Sequence, residues 1–176
     1  MSDFTSEGAA PFLGFFGRRV GSVSASFTRP NDTTAYASGD LVANSTTAGQ
    51  VVPMSLAAGK LSGGSGTIKR AQLSKSGTTP TNAQFRVHFY SASPTPANGD
   101  NGAWSTSGAA NYLGSMTLAA AMARVFSDGC ADTLVPDAGS EINFTGQTVY
   151  ALIEARAAYT PGASEVFTLT LEVWQN

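Results

Sequence analysis

The stretch Glu165-Val166-Phe167-Thr168-Leu169-Thr170-Leu171-Glu172-Val173-Trp174 alternates apolar and polar residues almost without a break. Successive side chains of a β-strand point to opposite faces, so Phe167, Leu169, Leu171 and Val173 turn inward while Thr168, Thr170 and Glu172 turn outward. Val23, Ala25 and Phe27 alternate in the same way with Ser22, Ser24, Ser26 and Thr28, in a strand that ends at Pro30. Phe85, Val87 and Phe89 against Arg86, His88 and Tyr90 form the cleanest strand pattern of all. Strands with one apolar face belong to antiparallel sheets packed on a core by one side.

Weaker signals fill the spaces between. Val51 to Leu56 reads as a short strand interrupted by Pro53, which places it at an edge. Thr67 to Ser74 alternates less regularly, and Leu113 to Leu118 and Glu141 to Phe144 are short candidates. Thr148 to Ala158 begins apolar on both faces, as a central strand does, and turns polar at Glu154 and Arg156. Only Leu118 to Phe126 predicts a helix, from Leu118, Met122 and Val125 at helical spacing. About eight strands joined by Gly-, Ser-, Asn- and Pro-rich loops predict an all-β antiparallel sandwich of jelly-roll type. The longest loop, Ser91 to Asn111, carries Pro94, Pro96 and the turn cluster Asn98-Gly99-Asp100-Asn101-Gly102. Loops of that length inside a compact fold usually serve function or bind a partner.

The chain divides into an extended N-terminal arm, residues 1–19, and a single domain, residues 20–176. In the arm, Met1 to Glu7 is polar, and Pro11-Phe12-Leu13-Gly14-Phe15-Phe16-Gly17-Arg18-Arg19 then places three Phe and one Leu within six positions ahead of two arginines. Gly and Pro break any helix there. Such an arm either folds back onto its own core or docks on a neighbouring subunit. In the docking reading Phe12, Leu13, Phe15, Phe16, Arg18 and Arg19 are the contact residues.

Composition narrows the function. The 176 residues include 10 Lys and Arg, 12 Asp and Glu and one His, for a net charge of −2. Three lysines and no basic cluster argue against nucleic acid, whose phosphates demand a cationic face. No apolar run approaches the ~20 residues that span a bilayer. Asp3 and Glu7 stand where a secretory signal carries basic residues, so the chain is expected to stay at first in the compartment where it is made. The charged fraction is 12%, while Ala, Gly, Ser and Thr make up roughly half the chain, well above ordinary usage.

Catalytic groups are sparse. His88 is the only histidine and Cys130 the only cysteine. Ser127-Asp128-Gly129-Cys130-Ala131-Asp132 flanks that thiol with acids, which does not favour a reactive thiolate. Glu141, Glu154 and Glu172 lie on or beside strands, where pairing with neighbours such as Arg156 is a plainer role than a glycosidase carboxylate pair. Asp100, or Asp128, Asp132, Asp137 and Glu141, could offer oxygen ligands to Ca²⁺, but no EF-hand spacing occurs and Asp-Gly and Asn-Gly steps are what tight turns require. Gly63-Gly64-Ser65-Gly66 lacks the following Lys-Ser/Thr of a phosphate loop. The expectation is a non-enzyme without cofactor or metal.

Three stretches are more specific: Arg29-Pro30-Asn31-Asp32-Thr33-Thr34-Ala35-Tyr36-Ala37-Ser38-Gly39-Asp40, Leu134-Val135-Pro136-Asp137-Ala138-Gly139-Ser140-Glu141-Ile142-Asn143-Phe144, and Ala151-Leu152-Ile153-Glu154-Ala155-Arg156-Ala157-Ala158-Tyr159-Thr160-Pro161. In this order and spacing the chain from Val20 to Trp174 resembles the jelly-roll cement or decoration proteins of tailed-bacteriophage capsids. The arm is not part of the resemblance. It implies a virion protein, made in the host bacterial cytoplasm, that sits on the outer capsid surface and bridges neighbouring major capsid subunits. It further implies a homodimer or homotrimer, with no nucleic-acid or membrane partner. Arg29 and Asp32 would fix the loop after the first strand, and Gly39 and Asp40 would turn the chain into the next. Other virion parts (a tail, fibre or head-fibre module) and a carbohydrate-binding sandwich remain open. The latter would need an aromatic platform from Trp104, Tyr112 or Trp174. A surface of small side chains loses little entropy when immobilised, which suits broad protein contacts repeated over a lattice.

Overall fold

A computed structural model describes residues 19–176. Phe12, Leu13, Phe15, Phe16 and Arg18 therefore lie outside the described residues. The strands are β1 (Arg19–Thr28), β2 (Leu41–Val42), β3 (Met54–Leu56), β4 (Ser65–Lys75), β5 (Phe85–Tyr90), β6 (Tyr112–Thr117), β7 (Arg124–Phe126), β8 (Gly129–Pro136), β9 (Ile142–Thr145), β10 (Val149–Ala155) and β11 (Val166–Gln175). All pair antiparallel in one curled sheet, in the order β1-β11-β4-β8-β6-β5-β10-β2, with β3 on β10, β7 on β8 and β9 on β4. The result is an all-β, jelly-roll-like sandwich.

The curl is made at β8. Its residues Cys130–Leu134 pair with β4, whereas Val135 and Pro136 pair with Thr117 and Met116 of β6. One layer is thus β1, β11, β4 and the first part of β8, and the facing layer is β6, β5, β10, β2 and β3. Phe167, Leu169, Leu171 and Val173 of β11 are fully buried against Phe85, Val87 and Phe89 of β5 and Ala151 and Ile153 of β10. Each large side chain so buried contributes about 1.5–3 kcal/mol. Phe85 meets Phe167 edge-on at 5.2 Å between ring centroids, across the interface of the two layers.

The irregular pattern of Thr67 to Ser74 has a local cause. The register between β4 and β11 slips between Glu172 and Val173, leaving Lys69 as an extra residue. The inward positions switch from Gly66 and Ile68 to Ala71 and Leu73 across this bulge, so no single period describes the strand. β10 is buried along nearly its whole length, as its doubly apolar start implied.

Two sequence expectations are corrected. Leu118 to Phe126 is not a helix. The Leu118 N–H donates to the Phe85 carbonyl at 2.9 Å and the Met122 N–H to the Ala83 carbonyl at 3.0 Å, both continuing the β5 edge. Arg124–Phe126 then pairs with β8. Leu118 and Met122 are buried beneath this connection, while Val125 is half exposed, so the helical spacing is a coincidence of where a loop drops side chains into the core. The strand β8 is the second difference. No strand is expected there from the sequence, in which Asp132 and Pro136 interrupt the apolar positions.

Candidate interaction surfaces

Two buried polar networks lock the loops at one end of the sandwich. In the first, Arg29 follows β1 directly and is 2% exposed. Its Nη2 donates to Asp100 Oδ2 at 2.7 Å, and its Nε donates to the Tyr36 hydroxyl. Tyr36 donates to Asp100 Oδ1 at 2.6 Å, and the Ala43 N–H reaches the same oxygen at 2.7 Å. Asp100, weighed above as a calcium ligand, is therefore the counter-ion of Arg29. Asp32 sits at the rim, where its Oδ1 accepts the Thr34 N–H at 3.0 Å. That backbone bond, aided by the nearby Arg29 guanidinium, holds the Asp32 carboxyl below the usual range.

Gly39 and Asp40 lie between β10 and the long loop. The Gly39 N–H donates to Ala155 and its carbonyl accepts from Trp104, while Asp40 forms a bridge with Ala103. Gly39 has φ +95°, a left-handed conformation that a Cβ disfavours. The Asp40 carboxylate closes the turn by accepting the Ala37 N–H at 2.6 Å.

The second network surrounds Lys75 and Glu165, whose side chains are 0% and 1% exposed. All three ammonium donors of Lys75 are used, on the carbonyls of Gly77 and Thr79 at 2.8 Å and on Glu165 Oε1 at 3.1 Å. The Tyr159 hydroxyl donates to the same carboxylate, at 2.6 and 2.7 Å from its two oxygens. The two networks touch through Tyr36 and Tyr159, whose rings lie nearly parallel with centroids 6.3 Å apart. Burial, reinforced by the adjacent carboxylates, pushes both phenols far above their ordinary range, so they remain donors.

The outer face of the β6-β5-β10 layer carries a third cluster. His88 Nε2 donates to Glu154 Oε2 at 2.9 Å, and its Nδ1 lies 3.2 Å from the Tyr112 hydroxyl. Trp104, from the Ser91–Asn111 loop, stacks on the His88 ring at 4.1 Å. Arg156 donates to Glu154 Oε1 at 2.8 Å. Burial pushes Glu154 upward, but the His88 and Arg156 hydrogen bonds outweigh it and leave the carboxyl below its usual range. Beside this cluster a shallow hollow of about 210 Å³ is lined by Tyr90, Thr106, Ser107, Ala109 and Tyr112.

The remaining sequence candidates do not converge. Cys130 is buried in the core on β8, on the opposite layer from His88. Asp132 pairs with Arg124, Asp137 with Arg86 and Glu141 with Lys69. Among the described residues no group of three His, Cys, Asp or Glu is placed to hold a metal ion. Trp174 lies under the Lys69 ammonium on the β11 layer, separate from Trp104 and Tyr112. Arg19 is exposed at the start of β1. Sequence reading missed the burial of Lys75 and the Arg29–Asp100 pair. The one available signal was a lone Lys at the end of an apolar strand face.

No protein-family model matches the chain, and no curated protein matches it. Among solved structures, it is similar to a chain of the acidic stable capsid structure of Helicobacter pylori bacteriophage KHP30, at 10% identity and a TM-score of 0.30, over 90% of this chain and 93% of that one. A likeness that loose carries no functional weight.

Proposed function

We propose that this protein is a structural component of a tailed-phage virion that binds the outer surface of the icosahedral capsid and cements neighbouring major capsid subunits against DNA pressure. The observation that carries the reading is where the resemblance stretches fall. Arg29 and Tyr36 from the first and Tyr159 from the third take part in the paired buried networks, with Asp100, Lys75 and Glu165 from outside those stretches and Asp32 at the rim. They hold the loops at one end of the sandwich as a rigid platform, and the charged groups involved are turned away from solvent. A rigid, weakly charged platform suits contacts repeated over a symmetric shell, because little side-chain entropy is lost at each one. In this reading the arm residues Phe12, Leu13, Phe15, Phe16, Arg18 and Arg19 dock on the neighbouring capsid subunit.

The test is co-sedimentation with capsids of the phage that encodes the chain. Full-length protein is expected to pellet with particles in hundreds of copies, and protein lacking residues 1–18 is expected to keep its melting profile but stay in the supernatant. A copy number of about a dozen points to a tail or fibre part instead. Absence of the protein from particles overturns the reading. A glycan-binding role is favoured by one feature, the Tyr90–Tyr112 hollow, and a glycan array without binding removes it.

A further inference from the structure

We propose that two copies of this chain associate through β1, pairing antiparallel about a two-fold axis at Ser24. β1 ends the sheet order, ten residues long, and pairs with β11 over its whole length without a register shift. Natural sheets protect such edges with charge, proline, bulges or short strands. The opposite end of this sheet follows that rule, since β2 and β3 have two and three residues. β1 does not: from Val20 to Thr28 it has no charged residue and no proline.

The hydrogen-bond parity shows which groups face the edge. One step beyond the Thr28–Val166 pair, the Arg29 N–H donates to the Glu165 carbonyl at 2.9 Å. Bonded pairs alternate in an antiparallel ladder, so Gly21, Val23, Ala25 and Phe27 bond to β11. The N–H and C=O groups of Val20, Ser22, Ser24, Ser26 and Thr28 then point away from it, and among the described residues none of them has a backbone partner. On the core side, Val23, Ala25 and Phe27 pack against the interior but stay only partly buried. β3 of the facing layer comes near β1, but these core-side residues keep part of their surface open.

The strand is complementary to itself in one register. With Ser24 opposite Ser24 of the second copy, Ser22 meets Ser26 and Val20 meets Thr28, and these are the residues whose backbone groups are available. About ten inter-strand hydrogen bonds form. On the core side Gly21 lies opposite Phe27 and Val23 opposite Ala25, so each larger side chain meets a smaller one. A register shift of two residues sets Phe27 opposite Arg19 in one direction, and in the other sets Val23 opposite Phe27 and Arg29, already buried, opposite Gly21. The chain's own residues 1–18, which join β1 at Arg19, are the competing occupant. As an edge strand they would place Phe12 and Phe16 on one face and Leu13 and Phe15 on the other, leaving two large apolar side chains on the solvent face. In the two-fold pair the Arg19 ends of β1 stand at the two outer ends of the joined strands.

Sedimentation of the full chain is expected to give a dimer. Ser24→Pro should give a folded monomer, because the lost N–H is not bonded to β11, with a melting temperature lower only by what association contributes. Ser24→Cys should form a disulfide-linked dimer on mild oxidation, with the buried Cys130 unreacted, and this variant decides the matter if the proline variant does not fold. A monomeric or trimeric native protein overturns the proposal. So does a dimer that survives Ser24→Pro, or one that folded protein loses when residues 1–18 are removed.

Discussion

Replacing Asp100 with Asn tests whether the Arg29 network holds the loops. The exchange keeps size and shape but removes the buried carboxylate, at 2.7 Å, from a guanidinium whose side chain is 0% exposed, leaving it only the rim carboxylate of Asp32 at 3.5 Å. The carboxylate now accepts three bonds of 2.6–2.7 Å, from Arg29, Tyr36 and the Ala43 N–H. An amide has one acceptor oxygen, so its NH₂ group must face either the Arg29 donor or the Tyr36 and Ala43 donors. Breaking a buried ion pair from one side costs about 3–5 kcal/mol, because the remaining charge is left buried without compensation. For a chain of this size that corresponds to a fall in melting temperature of roughly 6–20 °C. Urea denaturation of Asp100→Asn, Arg29→Met and the double variant forms the assay. The double variant is expected to be less destabilised than the sum of the singles, with a coupling of about 2 kcal/mol or more. If Asp100→Asn unfolds within about 1 kcal/mol of the native protein, the pair does not hold this end of the sandwich, and the platform argument fails with it.

Gly77→Ala should be destabilising by about 1–3 kcal/mol, since its Cβ would overlap the Glu165 carboxylate that Lys75 and Tyr159 hold in place; an equilibrium denaturation curve matching the native one would refute the packing. The pH dependence of stability has an acid and an alkaline limb. Glu154 titrates lower in the folded protein than the ordinary glutamate value of 4.5, so its contribution is present above that pH and is lost as the pH falls through the depressed folded value. Tyr36 and Tyr159 have folded values raised above 10.0, so stability is intact below that pH and declines as the unfolded chain begins to ionise them. Tyrosinate absorbance followed beside circular dichroism checks this, with both phenols expected to ionise only as the fold is lost; early ionisation in the folded state would contradict their burial.

Local sequence determined the strands whose one face is buried. In β1, β5 and β11 the period of two is visible because burial on one side and solvent on the other act on successive residues. The weak alternation of β4 was legible only as weakness, and its cause, a bulge at Lys69, is a matter of register with β11. β8 and β7 were not legible. Their strand character comes from backbone partners on β4, β6 and each other, which no spacing within eight residues records, and pairing overrode the helical spacing of Leu118, Met122 and Val125.

The same division holds for the surfaces. The resemblance implied a structural loop at Arg29, Asp32, Gly39 and Asp40, and the residues themselves marked Asp100 as part of a turn-rich loop. That Asp100 is the counter-ion of Arg29, or that Lys75 finds Glu165, depends on bringing together residues far apart in the chain. A buried charge can be placed only beside its partner, and which partner arrives is decided by the closure of the two layers. Low charge and small side chains were properties of the sequence alone. The open edge of β1 belongs to the tertiary structure, because an edge exists only once every other strand has found its neighbours.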